Sequence, residues 1–323
     1  MECGLCPNGC VIGPGGIGSC RVRTNRGGVL YADSFGVVSS SQVDPIEKKP
    51  LYHFWPGTEI FSVGGWGCNL HCSFCQNWSI SQEFNAEKQV FSPHEVVDAA
   101  ILSGAPSIAY TYNEPLISLE FVRECAMIGR EKGLNSVAVT NGYVSEESGR
   151  DAIEVIDAFN IDIKGMSEMF YSRNCSGRLA PVLDFCCMVK ASGRHLELTN
   201  LVIPGENDRY SELEELVRWV VNNLGRDVPV HFSAYRPQYK MTNPATGTDV
   251  LNRAFDIARN HLDYVYLGNV LMERGQNSLC PQCQACLIKR HGYSIAVVGV
   301  NRGKCIKCGF LLEGFLWRVQ SES

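Results

Sequence analysis

Seven short apolar runs recur along residues 56–275 of this 323-residue chain, and no other feature restricts its fold as much. They are Glu59–Val63, Ser107–Tyr110, Ser136–Thr140, Ala158–Ile163, Leu196–Val202, Val230–Phe232 and Tyr264–Leu267. Bounded by turn residues, such runs read as buried strands. Helical patterns lie between them. Ser92-Pro93-His94-Glu95 opens one, with serine as N-cap, proline in the first helical position and Glu95 closing a capping box. Val96, Val97, Ala100 and Ile101 then form its apolar face. Another helix is expected through Phe121, Val122, Cys125 and Ile128. Strands roughly 30–40 residues apart with helices between them are βαβ units, which assemble a parallel sheet. Six or so repeats predict an α/β barrel or partial barrel. Its chemistry belongs at the C-terminal ends of the strands.

Just after the first run comes Gly67-Cys68-Asn69-Leu70-His71-Cys72-Ser73-Phe74-Cys75. Sixteen cysteines would produce this C-x3-C-x2-C spacing by accident in roughly 4% of such chains, so its position at a strand end matters. Three thiolates can each hold one iron of a [4Fe–4S] cubane, and no fourth cysteine follows locally. The fourth iron would stay open to a ligand. A zinc knuckle would want four protein ligands. Gly64, Gly65 and Gly67 are expected to let backbone approach a bulky cluster closely.

Two further cysteine groups divide the chain into an N-terminal cysteine-rich segment with linker (1–55), a core (56–275) and a C-terminal unit (276–323). Cys3, Cys6, Cys10 and Cys20 lie in a Gly/Pro-rich stretch, and four thiolates there suit either zinc or a second iron–sulfur cluster. At the other end, Cys280-Pro-Gln-Cys283 and Cys305-Ile-Lys-Cys308 form two knuckles around a strand-like Tyr293–Val298. That pattern predicts a structural zinc ribbon. Cys286 reads as a bystander, and Cys125, Cys175, Cys186 and Cys187 as packing residues.

The remaining strand ends are polar: Tyr112-Asn113-Glu114-Pro115, Thr140-Asn141-Gly142, Asp162-Ile163-Lys164 and Pro204-Gly205-Glu206-Asn207-Asp208. Converging on one rim, such groups can bind the amino, carboxylate and ribose groups of a small cofactor. The triplet followed by these ends resembles the radical S-adenosylmethionine (SAM) superfamily. Within it, the chain resembles the radical enzyme of the AmmeMemoRadiSam system, similar to pyruvate formate-lyase activating enzymes. Cys3-Gly-Leu-Cys6-Pro, Asp44-Pro-Ile-Glu-Lys-Lys-Pro-Leu-Tyr-His-Phe54, Cys75-Gln-Asn-Trp-Ser-Ile-Ser-Gln82, Tyr110-Thr-Tyr-Asn-Glu-Pro115, His231-Phe-Ser-Ala-Tyr235 and the ribbon carry that likeness.

The resemblance implies a partial (β/α)6 barrel and a [4Fe–4S] cluster on Cys68, Cys72 and Cys75. SAM would chelate the open iron and be cleaved reductively to a 5′-deoxyadenosyl radical that takes hydrogen from a substrate. It further implies Phe74 near the adenine, Asn113 and Glu114 at the family's Gly-Gly-Glu position with Glu114 on the methionine amino group, and Thr140, Asn141, Asp162 and Lys164 on ribose and carboxylate. Val139 stands where activases often carry an acidic residue. The implied partners are a flavodoxin- or ferredoxin-type electron donor and Memo-like and AMMECR-type proteins. A glycyl-radical-enzyme activase is the alternative within the class. A non-catalytic multi-zinc binding protein is the alternative outside it.

Composition narrows the setting. No run approaches the 18 apolar residues of a membrane span, and Met1-Glu2-Cys3-Gly4 lacks the character of a signal peptide, so a cytoplasmic protein is expected. Cysteines there serve metals more than disulfides. The net charge of −5 argues against general nucleic-acid binding. Residues 280–318 are nevertheless basic, with Lys289, Arg290, Arg302, Lys304, Lys307 and Arg318 against Glu313 alone. A solvated basic face is expected there.

Overall fold

In the computed structural model, which describes residues 1–83 and 89–317, all seven apolar runs are strands of one sheet. We number its strands β1 Ser40–Pro45, β2 Glu59–Gly64, β3 Ser107–Thr111, β4 Asn135–Thr140, β5 Ala158–Asp162, β6 His195–Val202, β7 Val230–Ala234 and β8 Val265–Gly268. Strands β2 to β8 are parallel and adjacent in chain order. Strand β1 pairs antiparallel with β2, Gln42 facing Ser62. Six helices follow the first six parallel strands: α1 Pro93–Leu102, α2 Leu119–Glu131, α3 Glu146–Val155, α4 Ala180–Ala191, α5 Tyr210–Asn223 and α6 Thr248–Arg259. The fold is therefore a (β/α)6 partial barrel, open between β1 and β8.

Burial on both faces explains why the strands were visible in the sequence. Every residue of β3 and β7 is buried, so their runs are continuously apolar or small. Strand β1 was not foreseen. Its Ser-Ser-Gln-Val-Asp-Pro sequence is mostly solvent-facing and has little apolar signal. Helix α1 starts as its sequence predicts, with Ser92 and Glu95 capping each other reciprocally and Pro93 in the first turn.

The C-terminal ribbon plugs the seam of the barrel. Strands Ser278–Leu279, Cys286–His291 and Ser294–Val297 make its sheet, so the expected strand at Tyr293–Val298 is present, with Gly292 and Tyr293 at its turn. Tyr52, Tyr264, Tyr266, Leu287, Ile288 and Phe315 form a joint apolar cluster. Arg290 lies inside it, donating to the Tyr52 carbonyl (2.8 Å) and Ser278 Oγ (2.8 Å), 3.9 Å from Glu47. Arg290 thus leaves the expected basic face: its charge balances a buried carboxylate. Lys289, Arg302, Lys304 and Lys307 remain outside, and Arg318 falls beyond the described residues. Among the described residues no helix is long and apolar enough to cross a membrane.

Candidate active site

The triplet loop leaves the C-terminal end of β2 and is fixed from three sides. His71 and Ser73 donate backbone N–H groups to the carbonyls of Cys175 (2.8 Å) and Asn174 (2.9 Å). Asn69 Nδ2 donates to the Tyr143 carbonyl (2.6 Å), and His71 lies between Gln82 Oε1 (2.7 Å) and Ser19 Oγ (3.0 Å). Gly67 has φ of 79°, and a Cβ there would stand 2.5 Å from the Cys20 carbonyl. The close approach expected of this glycine is therefore to the N-terminal segment, and only glycine permits it.

Cys68, Cys72 and Cys75 face a cavity of about 320 Å³ at the C-terminal strand ends. Phe74, Asn113, Glu114, Thr140, Asn141, Asp162 and Lys164 line the same cavity, so every residue expected at the cofactor site converges on it. Glu114 is buried, and its carboxylate accepts from Leu116 N (2.9 Å), Thr140 Oγ1 (2.7 Å) and Asn141 N (2.7 Å). Burial pushes its pKa up to about 7, against the pull of those three donors. Thr140 is occupied by this role, since its hydroxyl also accepts from Gly142 N (3.1 Å). Asn141 Nδ2 reaches Cys68 Sγ (3.5 Å), and Asn113 ties Gly65 and Gly67 to the rim. Lys164 Nζ pairs with Asp162 (3.0 Å). Burial works against the lysine charge, but Asp162 and the Cys72 and Cys175 thiols outweigh it and raise its pKa.

Two contributors escaped the sequence reading. Tyr112 occupies the first glycine position of the family motif and adopts φ of 70°, the left-handed conformation in which glycine is at ease. Its hydroxyl donates to Asp44 Oδ2 (2.6 Å), and Lys49 Nζ lies between Asp44 (2.6 Å) and the tyrosine ring (4.4 Å to its centre). Burial alone would raise the Asp44 pKa, but Lys48, Lys49 and Tyr112 hold it well below the carboxylate range. The second is Cys175. It packs in the core as expected, and it also anchors the triplet loop, its carbonyl accepting from His71 N–H (2.8 Å).

A family model for the radical SAM superfamily matches residues 64–220. An uncharacterized protein of Methanocaldococcus jannaschii is 42% identical over 316 residues, covering 96% of this chain and 94% of its own. The chain belongs to the radical SAM superfamily. A radical SAM methyltransferase from Sphaerobacter thermophilus shares the fold with TM-score 0.52 at 16% identity, over 66% of this chain and 67% of that one. The FeFe-hydrogenase maturase HydG from Carboxydothermus hydrogenoformans does so with TM-score 0.50 at 13% identity, over 64% of this chain and 52% of that one.

The radical SAM cofactors fit the donor set. A tetrahedral zinc with bonds of ~2.3 Å holds its sulfurs ~3.8 Å apart. The ribbon meets this: Cys280 and Cys308 are 3.6 Å apart, Cys283 and Cys305 3.7 Å, and all four ligand atoms lie within 4.8 Å of one another. Among the described residues no other three thiols come that close. Cys68, Cys72 and Cys75 do not form such a single-ion group, and they share one cavity. Backbone N–H groups of Leu70 and Asn77 point at Cys68 and Cys75, stabilising thiolate charge. The cavity volume is at the lower end of the ~300–1,000 Å³ typical of small-molecule sites.

Proposed function

We propose that the chain is the radical SAM enzyme of an AmmeMemoRadiSam system, acting in the cytoplasm with a flavodoxin- or ferredoxin-type electron donor and with Memo-like and AMMECR-type proteins as partners. A [4Fe–4S] cluster on Cys68, Cys72 and Cys75, with SAM on its open iron, supplies reductive SAM cleavage and a 5′-deoxyadenosyl radical for hydrogen abstraction. The convergence of these three thiols with Glu114 and the Asp162–Lys164 pair on one cavity carries this reading.

The chain's own residues position and shield. Glu114, pre-set by Thr140 and the Asn141 amide, offers its carboxylate to the methionine ammonium. Lys164 meets the methionine carboxylate or ribose, with Asp162 as counter-charge. Leu70 and Phe74, both buried, form an apolar wall that keeps water away. Zinc at Cys280, Cys283, Cys305 and Cys308 would hold the ribbon over the seam.

The activase reading draws support from the open side of the barrel. A second cavity of about 600 Å³ lies there between Glu47–Tyr52 and Gly268–Leu271, sharing Lys48, Pro50, Gln76, Ser233 and Asn269 with the first. A peptide loop could reach the site by that route. The multi-zinc reading is disfavoured by the triplet's three ligands, one short of a structural zinc site, and by its absence from the single-ion spacing that the ribbon shows. The deciding experiment is anaerobic reconstitution with iron and sulfide followed by dithionite-driven turnover of SAM. Formation of 5′-deoxyadenosine and methionine is expected; a reconstituted protein that leaves SAM intact would sink the proposal.

A further inference from the structure

The site described above leaves the N-terminal cysteine group unused. Cys3, Cys6, Cys10 and Cys20 are all free, with Cys3 and Cys20 buried and Cys6 and Cys10 half-buried. Tight turns gather them: Cys3 N–H donates to the Cys10 carbonyl (2.9 Å) and Gly9 N–H to the Cys6 carbonyl (3.1 Å). They lie near enough for charge on one to be felt by another, Cys6 against Cys20 and Cys10, and Cys20 against Cys3. Yet no three come within 4.8 Å of one another. The ribbon shows what single-ion spacing looks like in this chain, and this group does not have it. The catalytic triplet likewise lies outside that spacing.

Its surroundings suit a cluster. Ser19 N–H donates to Cys10 Sγ (3.4 Å), the Asn8 N–H faces Cys6, and those of Val22 and Arg23 face Cys20. The buried Arg23 guanidinium lies beside Cys3 and Cys20, with the Glu120 carboxylate as its counter-charge (2.5 Å). Hydrogen bonds to sulfur and local charge are the levers by which a protein sets cluster potential. We propose that Cys3, Cys6, Cys10 and Cys20 hold a second [4Fe–4S] cluster that relays electrons to the cluster at Cys68, Cys72 and Cys75. Four protein ligands leave no iron open, so this cluster transfers electrons and binds no SAM.

The path between the two sites is one asparagine. The Cys6 thiol lies close to the Asn69 side chain, whose Oδ1 is 4.0 Å from Cys68 Sγ. Asn8 Nδ2 also donates to the Asn69 carbonyl (2.8 Å), and Ser19 meets His71. On its other side the segment faces solvent, with Glu2, Gly4 and Val11 exposed. In the step one electron leaves a flavodoxin- or ferredoxin-type donor, reduces the N-terminal cluster, and reoxidises it on passing to the catalytic one. No bond or proton moves. The relay rests on the proposed catalytic cluster; the metal assignment at Cys3–Cys20 stands independently of it.

Replacing Cys68, Cys72 and Cys75 together by alanine removes the first site and leaves the second intact. Anaerobic reconstitution of that variant should retain about four irons and four sulfides per chain, with a visible absorption that dithionite bleaches and the EPR signal of a reduced cluster. A folded variant holding no iron but about two zincs per chain would overturn the assignment. A second variant, Cys6→Ser with Cys10→Ser, should lose this iron and keep dithionite-driven SAM cleavage. Reduction of its remaining cluster by reduced flavodoxin, followed by EPR, should slow by ~10–100-fold. An unchanged rate would overturn the relay. SAM left intact by a protein carrying both clusters would sink the catalytic proposal while supporting the second metal site.

Discussion

The ribbon and the triplet loop are both built from cysteines on short turns, and they differ in two measurable ways. The ribbon has four thiols at tetrahedral spacing, which a single ion would satisfy. The loop has three, outside that spacing, opening onto a cavity lined by charged side chains. Ligand number says whether a coordination site is left for chemistry, and ligand spacing says what kind of metal centre fills it. Their surroundings differ in the same sense. The ribbon contacts stacked aromatic rings, His53 on Phe315 at 3.6 Å between centres, which favours adhesion. The loop meets Asn141 Nδ2 at Cys68 Sγ (3.5 Å) and shares its cavity with the charged groups of Glu114 and Lys164.

Reciprocal cysteine variants would break this comparison most directly. Cys72→Ala should abolish SAM cleavage and leave ribbon zinc in place, measured by 5′-deoxyadenosine and by metal content. Cys283→Ala should lose zinc and loosen the ribbon while iron at the barrel site survives. Loss of both metals in either variant would show that the sites are not separate. The next largest effect is expected at the seam. Arg290→Met strands the buried Glu47, whose Oε2 already lacks a partner, and should cost ~3–5 kcal/mol of stability by urea unfolding. A cost near zero would mean that the ribbon is not held by this charge pair.

Legibility in the sequence followed burial and chain distance. Strands β2 to β8 were readable because sheets covered on both faces demand continuous apolar runs, whereas β1 is a half-exposed edge. The polar strand ends were readable because each stands immediately after such a run. What could not be read were partnerships across long stretches of chain: Asp44 with Tyr112, 68 residues apart, and His71 with Cys175. The Asp44–Lys49 run was conspicuous in the family likeness, yet nothing local showed that it would form a wall of the cavity. Arg290 was misplaced for a similar reason, since a Lys-Arg pair in a basic segment reads as surface until its partner Glu47 is known.

A smaller and more selective effect is expected inside the cavity. Glu114→Gln keeps the shape and removes the charge offered to the methionine ammonium. SAM affinity of the reconstituted protein should fall by ~10–100-fold, the value of a hydrogen bond to a charged group. Equilibrium dialysis would measure it. Stability should fall as well, because the amide nitrogen cannot accept the buried N–H of Asn141 or Leu116, but the folded variant should still take up its cluster. Unchanged SAM affinity in that folded variant would place Glu114 with the scaffold and weaken the distinction between the two regions.

The subtlest test concerns protons at the ribbon seam. His53 is fully buried between Phe315 and Tyr264, with Nε2 against the Tyr266 hydroxyl (2.7 Å), and burial depresses its pKa well below 6.5. As pH falls through about 6.5 the unfolded chain takes up a proton that the folded chain refuses, so the unfolded state gains and stability declines. The slope from this one group reaches at most ~1.4 kcal/mol per pH unit and continues down to the depressed folded pKa. Urea midpoints of wild type and His53→Gln between about pH 5 and pH 7.5 isolate it, because the rest of the seam is common to both proteins. The variant should be flatter on the acid side. Parallel curves would mean that His53 accepts its proton in place, and the seam would then yield to acid through the Glu197 network beneath it.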